Sequence, residues 1–154
     1  MTVVLAFLTT FGVCALSAVV PVVNSEIYLL AASAMAPREL AVPLIIAAAS
    51  GQMLGKSVMY FAGVGALRLP SERLRRMVAR VDERYRAAGK GGATLGGGVI
   101  LLSAVVGLPP FYVVSIACGL FRIPFAQFFV LGLFGRLVRF ALIVLAPQAW
   151  KAWT

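Results

Sequence analysis

Four long apolar runs, at positions 3–36, 40–67, 93–121 and 124–147, are separated by short polar stretches along the 154-residue chain. The second and fourth are uninterrupted and long enough to cross a bilayer once, which takes about 20 residues. The first and third are broken near their middles, by Pro21 followed by Asn24-Ser25-Glu26, and by Gly107-Leu108-Pro109-Pro110. Proline removes a helix hydrogen bond and glycine loosens the turn, so both runs must bend there. Each arm then has about 14 to 16 residues, roughly 21 to 24 Å of helix against a hydrocarbon core of about 30 Å. Such arms fall short of crossing. The pattern predicts two re-entrant helical hairpins whose tips are buried in protein or line a wet cavity.

The two halves repeat. Leu16-Ser17-Ala18-Val19-Val20 recurs as Leu102-Ser103-Ala104-Val105-Val106, each time just before the break. A crossing helix with spaced glycines and a following cation comes after each hairpin: Gly51 and Gly55 with Lys56, then Gly132 and Gly135 with Arg136. A hairpin returns to the side it entered, and one crossing helix changes sides. The second repeat is therefore inverted relative to the first, with the two tips approaching each other near the midplane, where transporters place substrate and coupling ions. The expected fold is an all-α integral membrane protein, a single domain over 1–154. It comprises repeat one (1–67), a basic amphipathic cytoplasmic linker helix (68–92), repeat two (93–147) and a short tail (148–154).

In the linker, Ser71 is placed to N-cap a helix. Leu74, Met77, Val78, Val81 and Tyr85 follow helical apolar spacing, and Arg73, Arg76, Arg80 and Arg84 lie mainly on the other flank. Such a helix lies along a leaflet surface; a plain solvated linker is the alternative. The following Ala88-Gly89-Lys90-Gly91-Gly92 and Gly96-Gly97-Gly98 read as a hinge. No strand precedes them and no Gly-Lys-Ser/Thr ends them, which excludes a phosphate-binding P-loop.

Composition sharpens this picture. Hydrophobic residues make up 62% of the chain and charged ones only 12%, where soluble domains carry about a quarter. The net charge of +9 is concentrated between Arg68 and Lys90, which puts this segment in the cytoplasm against anionic headgroups and makes nucleic acid an improbable partner. No Lys or Arg precedes the first apolar run, so residues 1–25 are expected to stay in the mature protein rather than serve as a secretory signal. Cys14 and Cys118 stand alone in apolar runs of a chain without histidine. They read as small packing residues, and neither a metal nor another cofactor is expected.

Charges inside the apolar runs mark the candidate site. Glu26 lies at the first break beside Asn24, Ser25 and Tyr28, where a carboxylate costs about 2.5 to 3.5 kcal/mol at a bilayer centre. Its counter-charges are Lys56, Arg136 and Arg139, the last two sharing one helix face. Arginine suits bidentate recognition of phosphate or carboxylate, and lysine supplies a point charge. The alternatives are a structural ion pair for Glu26 and a snorkelling anchor for Arg139. Gly51 and Gly55 read as close-packing positions. Arg38 and Arg122 follow the hairpins as interfacial anchors, and Pro21, Gly107, Pro109 and Pro110 form the hairpin tips.

Taken in order, the residues from Leu16 to Glu26, Gly51 and Gly55, Leu101 to Ile123, and Gly135-Arg136 with Arg139 make the chain resemble the DedA superfamily, or VTT domain, in particular its small YqaA-like members. That resemblance implies a bacterial inner-membrane protein with opposed re-entrant hairpins that flips or scrambles lipids such as undecaprenyl phosphate or a phospholipid, in some members coupled to the proton motive force. It maps the family's membrane-embedded acid onto Glu26 and its late basic position onto Arg136 or Arg139. The second tip departs from the pattern of larger members, since it carries no charge.

The leading function is thus a flippase or scramblase for a phosphate-bearing lipid, with membrane lipids and their anionic headgroups as partners and a second copy of the chain as a candidate partner. A proton-coupled small-solute transporter and a non-transporting membrane scaffold are the alternatives. An enzyme is disfavoured: no histidine and no paired membrane carboxylates exist for acid/base or metal chemistry, and Ser17, Ser25 and Ser103 lack a base. The inverted arrangement predicts that single cysteines in a cysteine-free background label from the cytoplasm at positions 84 and 122 and from outside at position 38. Labelling of 38 and 122 from the same face would overturn the inversion.

Overall fold

The computed structural model describes residues 3–20, 24–66 and 72–153. Every regular element among them is a helix: α1 (Val3–Val19), α2 (Ser25–Met35), α3 (Ala41–Ala66), α4 (Glu72–Ala87), α5 (Lys90–Val106), α6 (Phe111–Leu120) and α7 (Phe125–Trp153), with a 3-10 turn at Arg38–Leu40 ahead of α3. Two stretches are long and apolar enough to cross a membrane, Arg38–Gly65 and Phe125–Ala146. They coincide with the unbroken apolar runs. Pro21 and Ser71 lie outside the described residues, as do the side chains of Leu74, Met77, Val78, Val81 and Tyr85, which carry the apolar stripe expected of α4.

The surface is apolar where a soluble protein's would be polar. On α1 the buried positions are Ala6, Thr10, Cys14, Ser17 and Ala18, a stripe of small residues at three- and four-residue spacing. Val3, Val4, Leu5, Leu8 and Leu16 face outward. Two hydroxyls of this helix bond to their own backbone: Thr9 Oγ1 donates to the Leu5 carbonyl at 2.8 Å and Ser17 Oγ to that of Cys14 at 2.8 Å. Small residues inside and large ones outside is the order that a hydrocarbon solvent rewards.

Both broken runs fold into helical hairpins, but their arms are unequal. α1 and α5 have 17 residues each, while α2 has 11 and α6 has 10, so the second arms reach only about 15 to 17 Å. Local chemistry shortens them. Asn24 and Pro110 start them late, and Pro37 ends α2 because the residue before a proline avoids helical geometry.

α6 ends in a Schellman turn: the Ile123 N–H bonds to the Cys118 carbonyl and the Arg122 N–H to that of Gly119. The left-handed position of this turn, usually glycine, is taken by Arg122 at φ 54°.

One expectation needs correction. The glycine-rich hinge is confined to Ala88–Gly89, where Gly89 has φ 52°; Gly91, Gly92 and Gly96–Gly98 lie inside α5. Each glycine costs a helix about 1 kcal/mol in water, but leaving a backbone group unbonded in an apolar medium costs several. α7 runs on through Pro147 to Trp153.

By internal packing the chain forms two compact units, Met1–Gly55 with Leu133–Thr154, and Lys56–Gly132. The first gathers α1, α2, the start of α3 and most of α7 around Leu29, Leu44, Ala48, Phe140 and Val144. Here α3 lies against α1 without room for side chains: a Cβ on Gly51 would collide with the Phe11 carbonyl oxygen, and one on Gly55 would come within 2.5 Å of the Ala18 Cβ. Both glycines are therefore packing positions.

The second unit holds α5 and α6 with the end of α3 and the start of α7 around an aromatic cluster. Tyr60 packs on Phe61, Phe125 and Phe128, and Phe111 stacks on Phe128. A Cβ on Gly119 would strike the Tyr60 carbonyl, and the Tyr60 hydroxyl donates to the Ile123 carbonyl at 2.6 Å, fastening the end of α6 to α3. Gly12, by contrast, has open space around it. Gly51→Ala and Gly119→Ala should each lower the unfolding free energy in detergent by at least about 1 to 3 kcal/mol, because the obstacle is backbone. Gly12→Ala should be neutral or raise it by about 0.5 to 1 kcal/mol. Thermal unfolding of the three variants checks this, and equal shifts would refute the seams.

Candidate functional site

At the first break the backbone is completed by side chains. Asn24 Oδ1 accepts from the N–H groups of Glu26 at 3.0 Å and Ile27 at 3.4 Å, so Asn24 is the N-cap of α2. Capping fixes the first turn of α2, which carries Ser25 inward and Glu26 beside it. Glu26 meets Arg139 of α7: its Oε1 accepts from Arg139 Nε at 2.7 Å and lies 2.5 Å from Nη2. The Glu26 side chain is 37% exposed and that of Arg139 20%, so the pair is half-buried. Arg136, three residues earlier on α7, is only 7% exposed and close enough to feel both charges.

A second contact ties the two arms of this hairpin to α3. Gln52 Nε2 donates to Ser25 Oγ at 2.5 Å and lies 3.4 Å from Ser17 Oγ. It therefore bridges α1 and α2 across the break. Gln52 Oε1 is buried without a hydrogen bond. Higher up the same pair of arms, Thr10 and Tyr28 share a hydroxyl contact at 3.3 Å. Sequence reasoning passed over Gln52 because an amide carries no charge; its signal was a lone long polar side chain in an otherwise small and apolar segment.

The second break is completed differently. Gly107 sits at φ 88° and its N–H reaches the Ser103 carbonyl. Ser103 Oγ donates to the Pro109 carbonyl at 2.5 Å, and Pro109 and Pro110 have no N–H to satisfy. The Pro110 carbonyl accepts from Val113 and Val114, opening α6. Lys56 Nζ stands 5.9 Å from the Tyr112 ring centroid, within cation–π range, and Lys56 is 6% exposed.

A correspondence follows. Glu26 and Tyr112 are each the second residue of the second arm of a hairpin, and each faces a cation. The cation comes crosswise: hairpin one meets Arg139 on the helix that follows hairpin two, and hairpin two meets Lys56 on the helix that follows hairpin one. The uncharged second tip thus offers a π face where the first offers a carboxylate. Arg38 and Arg122 are exposed. Cys14 and Cys118 are buried free thiols, and no cluster of His, Cys, Asp or Glu suited to a metal occurs among the described residues.

Small-residue helix seams, hairpins closed by their own polar groups and an ion pair within apolar helices define a helical membrane protein. Residues 19–148 match the VTT domain, and the chain belongs to that family, the DedA/SNARE-associated family, whose members are membrane-associated, transporter-like and generally not enzymes. No curated protein and no solved structure matches the chain. For the pair at its centre, a double-mutant cycle of Glu26→Gln and Arg139→Gln should give a coupling of about 1 kcal/mol or more in detergent, given partial burial. A coupling near zero would mean that the pair contributes nothing to the fold.

Proposed function

We propose that the protein is a flippase or scramblase for a phosphate-bearing lipid, undecaprenyl phosphate or a phospholipid, in the bacterial inner membrane. In this reading the two hairpins are re-entrant and inverted, and the basic segment 68–92 is cytoplasmic. The observation that carries it is the charge beside the first break: Arg136 and Arg139 of α7 against the single carboxylate of Glu26, with Arg136 buried. Net positive charge in a low-dielectric region is costly, and an anionic headgroup offsets it where a neutral sugar or a cation would not. Arginines three apart on α7 offer a fork for phosphate. The exposed apolar flanks of the hairpins suit lipid tails.

A proton-coupled small-solute transporter is the second reading. It is favoured by the partial exposure of the Glu26 side chain, which stays 37% exposed while paired with Arg139. Proteoliposomes with undecaprenyl phosphate or labelled phospholipids separate the two. Arg136→Ala should slow lipid movement by about tenfold or more, the worth of a charge-assisted hydrogen bond, while exposed Arg122→Ala changes it less than about twofold. Glu26→Gln should express and fold but lose transport. Equal losses for the two arginine variants, or solute uptake without lipid movement, would favour the solute transporter, and normal transport by Glu26→Gln would remove that residue from the mechanism.

A further inference from the structure

Away from the Glu26–Arg139 pair, α5 and α6 leave an open apolar groove of about 360 Å³. Gly92, Gly96 and Val99 of α5 form one wall, and Ala117 and Phe121 of α6 the other. Small residues on both arms make it a trough rather than a ridge. Because α5 and α6 run antiparallel, the lining has a direction: Gly92 and Phe121 stand at the α4–α5 corner, and Ile100 and Val114 at the far end. Arg84, on the last turn of α4, borders the groove at the corner. The wall is apolar throughout, so Arg84 contributes its methylene stem, as arginines do where apolar surface meets water.

The groove's dimensions and polarity identify an occupant. From Gly92 to Ile100 is about 12 Å of helix, and the volume holds about a dozen water-sized groups at ~30 Å³ each. That is one narrow apolar chain, entered at a cationic end. Arg84 is also not an isolated cation, because Arg73, Arg75, Arg76, Arg80 and Arg86 share its helix and are exposed. A molecule that is anionic at the corner and apolar along α5 and α6 complements both features.

We propose that this groove is a binding site for one acyl chain of an anionic phospholipid, whose phosphate sits at Arg84. The site tethers α4 to the bilayer and is separate from any transported lipid, so it does not rest on the transport reading.

Phosphatidylglycerol carrying a photoreactive diazirine on its acyl chain, mixed into nanodiscs holding the full chain, tests it by mass-spectrometric mapping. Adducts should concentrate on α5 and α6, and replacing the probe with the phosphatidylcholine analogue should reduce them by about fivefold, the worth of one cation near a membrane surface. Arg84→Ala should give a similar loss and Arg73→Ala little. Gly96→Leu fills the groove and should abolish the adducts. Gly98→Leu adds the same side chain to the same helix where nothing lies within 4 Å and should leave them unchanged. Labelling spread evenly over all outward-facing helices, equal labelling by the two lipids, or indifference to both Arg84→Ala and Gly96→Leu would show annular lipid only and overturn the site. Should Gly96→Leu fail to fold, the Arg84 and Arg73 pair decides alone.

Discussion

A helix that stops inside hydrocarbon leaves four N–H or four C=O groups with no water to receive them. Both hairpins of this apolar chain leave such groups at their breaks, and the residues around each break supply partners for them. At the first, Asn24 supplies an acceptor to two orphan N–H groups, and Gln52 holds Ser25 from outside the hairpin. At the second, two successive prolines remove donors from the problem, and Ser103 covers a carbonyl that remains. The placement of Glu26 and Tyr112 follows, since each sits in the first turn that the completed break defines.

The two breaks also differ in what they depend on. The second closes on residues of its own hairpin, whereas the first is completed by a side chain of α3 and a cation of α7. Each second arm places its second residue against a cation, a carboxylate at the first hairpin and an aromatic ring at the second. A π face attracts a cation without neutralising it. The ring of Tyr112 therefore leaves the charge of Lys56 in place, where the carboxylate of Glu26 offsets that of Arg139.

The apolar runs made the long helices legible, because α3 and α7 need only length and hydropathy to be recognised. Glu26 was legible for the opposite reason, as a lone carboxylate in a setting that penalises it. What the pattern left open was which of the three candidate counter-charges, Lys56, Arg136 or Arg139, Glu26 meets; the carboxylate pairs with Arg139, whose other reading was an anchor. The lengths of α2 and α6 were overestimated because their limits are set by caps rather than by hydropathy. The glycines of α5 were misread as a hinge because their propensity was weighed as in water. Gln52 escaped notice because its importance comes from the contacts of two serines that are distant in sequence.

The Glu26–Arg139 pair joins residues 113 positions apart, which orders events during synthesis. At elongation speeds of about 5 to 20 residues per second, roughly 6 to 23 s separate the two residues' emergence from the ribosome. The first hairpin thus enters the bilayer before its counter-ion exists. Until α7 arrives, the carboxylate lacks the arginine that it meets in the finished fold. Loss of Arg139 is accordingly a defect of the last assembly step, leaving insertion of the earlier helices untouched.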